Sequence, residues 1–555
     1  MEMTPVRLAR RWWTVVALGA AAACGEGGAG EKSVVIAAGG DGDVLVPLLW
    51  AESQARVYTE LMFDKLADIG QGQNTLGDAG YEPRLARSWS WAPDSLSLTF
   101  ALDPQARWHD GVPVRAPDVK FAFDLYTDPK VASGPGVEMA RVADSVTVAD
   151  SVTAVVWFRA RTPEQFHAIA YNLVPLPAHL LQAVPRDSLR ASAFARQPVG
   201  SGPFRFVSWE KGTRFELAAF DGYARGRPKL DHVIFTITGD APSAARAVLA
   251  GDADFVETLS LDDIAEARKQ ADFQFVPVRG TEYAFLVFNL RTPDGRAPHP
   301  ILRDAGVRRA LTMATDRTAM VRNVHDTIGV PAIGPFSRVQ WTADTTLRTI
   351  PFDRAGAARL LDSLDWAPGA DGTRAKGGRP LAFSILVQTS NRVRIRYAEL
   401  MQQALAAVGV KATVDPVDTP AFRDRLSTHK FDAALFSWRT TPSPSGTRQT
   451  WGSVAYRPGS PYNPGGYQSA VFDMHVDSGL VALDRSAARA HFAAAYQTAI
   501  DDAPAIWIYE PRVVAGASRR LVTGPIRPDA WWQSVSAWDV TGPARRPSGG
   551  TATKP

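Results

Sequence analysis

The sequence predicts a large mixed α/β protein built from more than one lobe. Its 555 residues exceed what one hydrophobic core supports, since single cores stop growing at about 250–300 residues. Hydrophobic residues make up 45% and charged residues 21% of the chain, the ordinary composition of a folded globular protein. Strand-like and helix-like patterns alternate along the chain. These three observations predict a multi-lobed α/β fold and argue against a disordered or polytopic membrane protein.

The predicted elements of the first half follow from local patterns. Residues 33–37 form a short apolar run typical of a buried strand, and residues 54–66 carry apolar side chains at helical spacing. Pro117 stands where helices often begin, so residues 117–126 are predicted to be helical. Alternating or continuous apolar residues predict the other strands of this half at 96–102, 152–158, 204–209, 215–219 and 232–237.

The second half repeats the mixture. Residues 283–290 are nearly all apolar, as in a strand buried on both faces. Gly409 supplies the usual glycine after a helix that ends at residue 408. Apolar periodicity predicts amphipathic helices at 307–321, 355–364 and 395–408. Further strands are predicted at 381–388, 410–414, 431–438 and 506–509.

The N-terminus has the pattern of an export signal. Basic residues from Arg7 to Arg11 precede an apolar run from Trp12 to Ala23, and this run is shorter than the roughly 20 residues of a membrane-spanning helix. Cys24, the single cysteine, follows immediately. The segment resembles a bacterial lipoprotein cleavage box, although Ala21 stands where that box usually has leucine. The resemblance implies lipidation of Cys24, and the alternative is ordinary signal cleavage after an alanine.

Charge and motif content exclude several classes of function. The first 23 residues contribute +2 of the formal charge of +4, so the remaining chain is nearly neutral and shows no nucleic-acid footprint. No His-Glu-x-x-His, Walker or EF-hand motif occurs, and the nine histidines are scattered without metal-ligand spacing. The sequence therefore predicts no catalytic residues, metal site or cofactor. His109 is interpreted as a structural histidine and Arg308 as part of a structural ion pair.

A series of short motifs occurs in a characteristic order. They include Tyr58-x-x-Leu61, Trp108-His109-Asp110-Gly111, Pro198-x-Gly200-x-Gly202-Pro203-Phe204, Gly251-Asp252-x-Asp254, Phe288-Asn289 and Phe431-Asp432. Together they resemble the peptide/nickel class of ABC-transporter substrate-binding proteins, solute-binding family 5. The resemblance covers roughly residues 34–539.

The resemblance implies a two-lobed periplasmic-binding-protein-like fold of type II, cluster C, with an extra subdomain inserted in lobe one. The implied order is a signal peptide at 1–23, a lipidated flexible linker at 24–32, lobe one at 33–287 with the insertion at about 58–190, lobe two at 288–509, a return to lobe one at 510–541 and a disordered tail at 542–555. The hinge between the lobes is expected at Phe288 and Asn289 and again at Tyr509 and Glu510.

The resemblance also implies where a ligand is held. Peptide-binding members of the family place an aspartate three residues after the tryptophan matching Trp438, and here that position is Thr441. Because a buried ammonium without a partner is costly, we expect a ligand other than a standard peptide held by its free N-terminus. The Arg439 side chain either binds an anionic group of the ligand or simply lies on the protein surface. Asn463 and Tyr467 match the family's cleft-facing loop, and they complete the expected ligand-binding set.

The function implied is that of an exported, membrane-tethered binding protein, a monomer that delivers a small-molecule or peptide-like ligand to the permease and ATPase of an ABC importer. Its only membrane contact is expected to be the lipid anchor, and no nucleic acid is expected to bind. Nickel, which the family binds as a chelate, is neither shown nor excluded. The alternatives are a ligand sensor on the same scaffold that takes no part in transport and, with less support, an enzyme or a surface-interaction protein.

Overall fold

A computed structural model describes residues 31–292, 297–457 and 459–541. The predicted signal peptide, Cys24, most of the linker and the tail from residue 542 lie outside these residues. The α-helices are α1 Ser53–Met62, α2 Ala116–Tyr126, α3 Gly134–Val142, α4 Ala178–Leu181, α5 Ala241–Ala250, α6 Leu261–Ala267, α7 Ala305–Met313, α8 Arg317–His325, α9 Arg354–Ser363, α10 Arg392–Ala406, α11 Thr419–Ser427, α12 Ser445–Trp451, α13 Ala470–Val481 and α14 Arg485–Asp502.

Strands alternate with these helices along the chain. The strands are β1 Ser33–Ala38, β2 Ala67–Ile69, β3 Tyr81–Pro83, β4 Ala86–Trp91, β5 Ser97–Leu102, β6 Ala143–Asp150, β7 Thr153–Phe158, β8 Phe204–Glu210, β9 Arg214–Ala219, β10 His232–Ile237, β11 Phe255–Val256, β12 Phe273–Val278, β13 Glu282–Phe288, β14 Gly329–Pro331, β15 Ala367–Pro368, β16 Arg374–Lys376, β17 Arg379–Pro380, β18 Ala382–Gln388, β19 Lys411–Val417, β20 Ala433–Arg439, β21 Ala505–Pro511, β22 Val513–Ser518, β23 Leu521–Val522 and β24 Asp539–Val540. A π-helix spans His167–Tyr171, and short 3₁₀ helices span Arg186–Ala191, Ala193–Ala195, Ser453–Ala455 and Trp531–Ala537.

One sheet of seven strands has the order β12-β22-β11-β1-β10-β9-β8 within the described residues. Its central strand β1 is parallel to β10 and β11. Val34 and Ile36 point into one hydrophobic core, while Val35 and Ala37 point into another, because successive side chains of a strand face opposite sides. Apolar side chains on both faces make this sheet the centre of a body that we call lobe one.

A second sheet has the order β14-β21-β13-β20-β18-β19. In β13, Tyr283 and Phe285 belong to the core on one face, and Leu286 and Phe288 belong to the core on the other face. The prediction of a strand buried on both faces is therefore confirmed for this segment. We call the body around this sheet lobe two.

An antiparallel sheet of order β4-β5-β7-β6 lies in the chain between β1 and β8. Its apolar residues Phe100 and Val156 share one continuous core with Val34 and Phe215 of the seven-stranded sheet. This shared core attaches the extra sheet to lobe one.

The chain passes between the two lobes at two neighbouring points. Strand β12 belongs to lobe one and β13 to lobe two, so the first crossing lies at residues 279–281, before the predicted Phe288 and Asn289. Asn289 is fully buried in lobe two, where its side-chain amide donates to carbonyl oxygens of lobe two. Strand β21 continues past Tyr509 and Glu510, and β22 is back in lobe one, so the second crossing is at Arg512.

The first crossing lies earlier in the chain than predicted because an apolar run indicates a buried strand but does not indicate which sheet the strand joins. The crossing strands also touch each other. A β-carbon on Gly280 would lie only 2.0 Å from the carbonyl oxygen of Pro511, so the close approach of the two connections requires glycine at this position.

Two other expectations from the sequence are corrected by the structure. The helix predicted at 307–321 is two helices, α7 and α8, because Asp316 begins a new helix by accepting a hydrogen bond from the Ala319 amide at 2.9 Å. Arg308 is 5% exposed and makes no ion pair among the described residues. Instead its guanidinium donates to four backbone carbonyl oxygens, two of which precede α7 and two of which lie at the C-terminal end of α14.

Candidate functional site

A cavity of about 1060 Å³ lies between the lobes. Lobe one contributes α1, α3, and the π-helix with the turn before it, and lobe two contributes the loop after β20, α12 and the segment up to Tyr462. Its volume is slightly above the roughly 300–1,000 Å³ typical of small-molecule pockets. A cavity with walls from two bodies is the arrangement by which a ligand can bridge them.

The lobe-one wall of the cavity is built around a buried group of charges. Arg56 and Glu60 lie one turn apart on α1 and form an ion pair with 2.8 Å between guanidinium and carboxylate. The ammonium of Lys65 lies 3.5 Å from the Glu60 carboxylate and 3.5 Å from the centre of the Tyr171 ring. Although burial opposes it, these two cations hold the pKa of Glu60 far below its usual range, so Glu60 is ionised.

The Tyr171 ring belongs to the π-helix and stacks on the His167 ring at 4.8 Å between centroids. Burial lowers the pKa of His167 to about 3, so this imidazole is neutral. Its Nδ1 lies 2.6 Å from the hydroxyl oxygen of Tyr81. The π-helix therefore presents neutral aromatic and imidazole surface to the cavity, next to the charges of α1.

A second group of charges supports this wall from behind. Arg527, from the C-terminal return to lobe one, donates to Asp68 at 2.9 Å and to Asp529 at 2.7 Å. Arg84 also donates to Asp68, at 2.9 Å. Asp529 in turn accepts a hydrogen bond from the Tyr171 hydroxyl at 3.3 Å. These contacts hold Tyr171 in place, so the C-terminal segment shapes the cavity without lining it.

Glu164 lies in the turn before the π-helix and lines the cavity. Its carboxylate accepts hydrogen bonds from the Thr75 hydroxyl of lobe one and, at 2.7 Å, from the Ser443 hydroxyl of lobe two. Thr75 accepts a further hydrogen bond from the indole of Trp341, also of lobe two, at 3.1 Å. Burial raises the pKa of Glu164, and the two hydroxyl donors offset this only in part. Glu164 is thus the centre of a polar contact between the lobes.

The lobe-two wall is polar and partly cationic. Thr441 and Ser443 line it from the loop after β20, and Arg448 and Gln449 line it from α12. Arg448 is paired with Asp477 at 2.9 Å, so its charge is already compensated.

Thr441 is the one residue of the predicted ligand-binding set that lines the cavity in the described part of the chain. Trp438 lies behind the wall, with its ring 5.5 Å from that of Tyr462, which does line the cavity. The Arg439 side chain is 82% exposed and 3.9 Å from the Glu282 carboxylate, outside the cavity. The geometry supports the interpretation of Arg439 as a surface residue.

Asn463 and Tyr467 are buried in lobe two and stabilise its loop. The Asn463 side chain donates to the carbonyl oxygens of Gly452 and Tyr467, at 3.0 and 2.8 Å, and it accepts from the Tyr467 amide. The Tyr467 hydroxyl donates to Asp502 at 2.7 Å. Both side chains are fully occupied by these contacts, so their place in the motif reflects loop structure and not contact with the cavity.

No sequence motif pointed directly to Glu164, Lys65 or Tyr171 at the cavity. The available signals were weak: Lys65 lies in the last turn of the helix predicted at 54–66, and Glu164 and Tyr171 flank a short apolar stretch within the predicted insertion. No group of three or more His, Cys, Asp or Glu side chains that could hold a metal ion occurs within residues 31–292, 297–457 and 459–541. In the same residues, no helix combines the length and apolar character needed to cross a bilayer.

Two lobes joined by two crossings, with a cavity between them, define a ligand-binding protein of the periplasmic type. The chain matches the family described as Bacterial extracellular solute-binding proteins, family 5 Middle, over residues 80–457. The oligopeptide-binding protein AppA of Bacillus subtilis is 26% identical over 435 residues, which are 77% of this chain and 78% of AppA. Heme-binding protein A of Haemophilus influenzae is 24% identical over 406 residues, which are 68% of this chain and 69% of that protein.

Solved structures show the same fold. The structure of Bacillus subtilis AppA in complex with a nonapeptide has a TM-score of 0.72 at 22% identity, and the match covers 93% of this chain and 100% of AppA. NikZ from Campylobacter jejuni in complex with Ni(L-His) has a TM-score of 0.74 at 22% identity, and the match covers 91% of this chain and 99% of NikZ.

The chain belongs to the family 5 bacterial extracellular solute-binding proteins. The predicted family and the two-lobed fold class are confirmed. The protein is an extracellular solute-binding protein, and its family is one of binding proteins and not of enzymes.

Proposed function

We propose that the protein encloses a peptide-like or other small organic solute between its lobes and presents the closed, liganded form to an importer permease. The observation that carries this proposal is the cavity of about 1060 Å³ with walls from both lobes. A ligand that touches both walls only when the lobes are closed stabilises the closed state by its difference in affinity for the two states. The relatives' ligands, an oligopeptide, heme and a nickel chelate, give the range of candidates.

Motion between the lobes follows from the same proposal. We place the hinge at residues 279–281 and at Arg512, where the chain changes sheets. Lobe one then comprises residues 33–278 and 513–541, and lobe two comprises residues 282–511. The contacts of Glu164 and Thr75 with lobe two are the ones that opening would break.

Native mass spectrometry of the purified protein tests the capture of a solute. We expect a retained or added solute to appear as a stoichiometric mass increment, and small-angle scattering should show a smaller radius of gyration for the liganded form. Uptake of that solute should be lost in cells lacking the protein. Unchanged uptake would favour ligand sensing over transport, and no bound solute from any of the relatives' ligand classes would count against the proposal.

We also propose that the mature protein is anchored through an acylated Cys24, which lies outside the described residues, and that it acts as a monomer. Two acyl chains give stable anchoring, whereas one binds only marginally. The wild-type protein should partition into the detergent phase, and a Cys24→Ala variant should move to the aqueous phase. Equal recovery of both proteins in the membrane fraction would contradict lipidation, and a matched Ala21→Leu variant should keep the anchor.

A further inference from the structure

Glu164 differs from the other carboxylates of the cavity in having no cationic partner among the described residues. Glu60 is paired with Arg56 at 2.8 Å, and Glu138 is paired with Arg141 at 3.1 Å. Glu164 accepts only from hydroxyl groups, of which Ser443 is 2.7 Å away. The protein therefore supplies hydrogen bonds to this carboxylate and leaves its charge uncompensated.

The surroundings make this uncompensated charge costly. Burial raises the pKa of Glu164, and nothing but hydrogen bonding from Thr75 and Ser443 acts in the opposite direction. A buried ion without a partner of opposite sign carries an effective penalty of several kcal/mol. Since Glu164 lines the cavity and keeps part of its surface exposed there, a group in the cavity can supply the missing charge.

The position of Glu164 links such a group to closure of the lobes. Ser443 donates to Glu164 across the cleft, and Trp341 donates to Thr75 across the same junction. A cation placed against Glu164 would lie where side chains of both lobes meet. It would therefore stabilise the closed state more than the open one.

We propose that Glu164 is the counter-charge for a cationic nitrogen of the ligand, an ammonium or guanidinium group. The inference rests on the proposed function and narrows its ligand to solutes that carry such a group. The cationic nitrogen can come from a free N-terminus or from a basic side chain, and both sources offer N–H donors of the same charge.

Calorimetry with matched probes separates these sources. The probes are Ala-Ala-Ala with a free N-terminus, acetyl-Ala-Lys-Ala and acetyl-Ala-Arg-Ala with only a side-chain cation, and acetyl-Ala-Ala-Ala with none. We expect at least one cationic probe to bind about tenfold or more tighter than acetyl-Ala-Ala-Ala, the factor for one hydrogen bond to a charged group. Equal affinity for all four probes, or no binding by any cationic probe, would overturn the proposal.

Variants of Glu164 test whether this carboxylate is responsible. Glu164→Gln keeps the size of the side chain and should remove the preference for the cationic probe, while Glu164→Asp keeps the charge and should retain part of it. Glu266→Gln, which alters an exposed carboxylate paired with Lys269 outside the cavity, should leave the preference unchanged. A preference that survives in a folded Glu164→Gln protein would assign the cation to another group.

The binding measurements also show whether only the cationic preference fails or solute capture fails as well. If neutral or anionic solutes bind stoichiometrically and cationic probes do not, the inference fails while solute capture stands. If no solute of any charge binds to the folded protein, the proposed function fails as well.

Discussion

Replacing Arg527 with methionine should lower the free energy of unfolding by about 3–5 kcal/mol, the usual cost of breaking a buried ion pair by removing one partner. Arg527 is 5% exposed, and its guanidinium donates to Asp68, Asp529 and the carbonyl oxygen of Ile69. Burial alone would raise the pKa of Asp68, but Arg527 and its neighbouring cations hold it at about 2. Without Arg527, two buried carboxylates lose their shared cation.

Denaturant unfolding at pH 7 measures this loss. Lys269→Ala is the control, because Lys269 pairs with Glu266 on the surface, with side chains 70% and 55% exposed. Exposed pairs of this kind contribute at most about 1 kcal/mol. An Arg527→Met protein that unfolds within 1 kcal/mol of the wild type would show that Arg84 alone is enough to hold Asp68.

Acidification should destabilise the protein steeply between about pH 6.5 and pH 4, with His109 as one cause. Burial lowers the pKa of His109 to about 4. Its Nδ1 accepts from the Gly200 amide at 3.1 Å, and its Nε2 lies 3.0 Å from the carbonyl oxygen of Gly202. This arrangement fits the neutral ring with its proton on Nε2, because a second proton on Nδ1 would face the Gly200 N–H.

The direction of the stability change with pH follows from proton binding by the folded and unfolded states. The unfolded state has the ordinary histidine pKa of about 6.5 and binds a proton in this interval, while the folded state does not, so stability is lost as pH falls. The full contribution of His109 is about 3 kcal/mol between pH 6.5 and pH 4. Urea unfolding at pH 7, 5.5 and 4.5 should therefore show a smaller loss in a His109→Gln variant than in the wild type.

The control for this experiment is His179→Gln, which alters an exposed histidine whose Nε2 lies 2.8 Å from the Asp110 carboxylate. Buried His167 and His325, whose pKa values are lowered to about 3 and about 4, should preserve part of the acid sensitivity in the His109 variant. Parallel pH profiles for His109→Gln and the wild type would contradict the assigned role. In that case the hydrogen bonds of His109 with Gly200 and Gly202 would not explain the structural role predicted for this histidine.

Much of the fold could be predicted from local patterns in the sequence. The predicted strand at 232–237 coincides with β10, and the predicted helix at 395–408 overlaps most of α10. Local apolar patterns identify such segments because periodicity reports which face is buried. The same patterns could not show the break between α7 and α8, since the apolar residues of both helices continue at helical spacing across Asp316.

The site was less predictable because its contacts join distant segments. Ser443 and Glu164 are 279 residues apart, and nothing local to either residue indicates the other. Motif position led to Thr441, which lines the cavity from the loop that follows β20. Motif position could not distinguish Asn463 from a residue that faces a ligand. The side chain of Asn463 makes its hydrogen bonds within the loop.

The contact between Gly280 and the Pro511 carbonyl has a mechanical consequence. Two connections in contact behave as a single short pivot, so relative sliding or twisting of the lobes would have to separate them, whereas bending about the line through both leaves them together. The contact therefore favours a bending motion of the lobes over sliding or twisting. Bending about this line would bring the Ser443 hydroxyl and the Glu164 carboxylate back to the same hydrogen bond each time the lobes close.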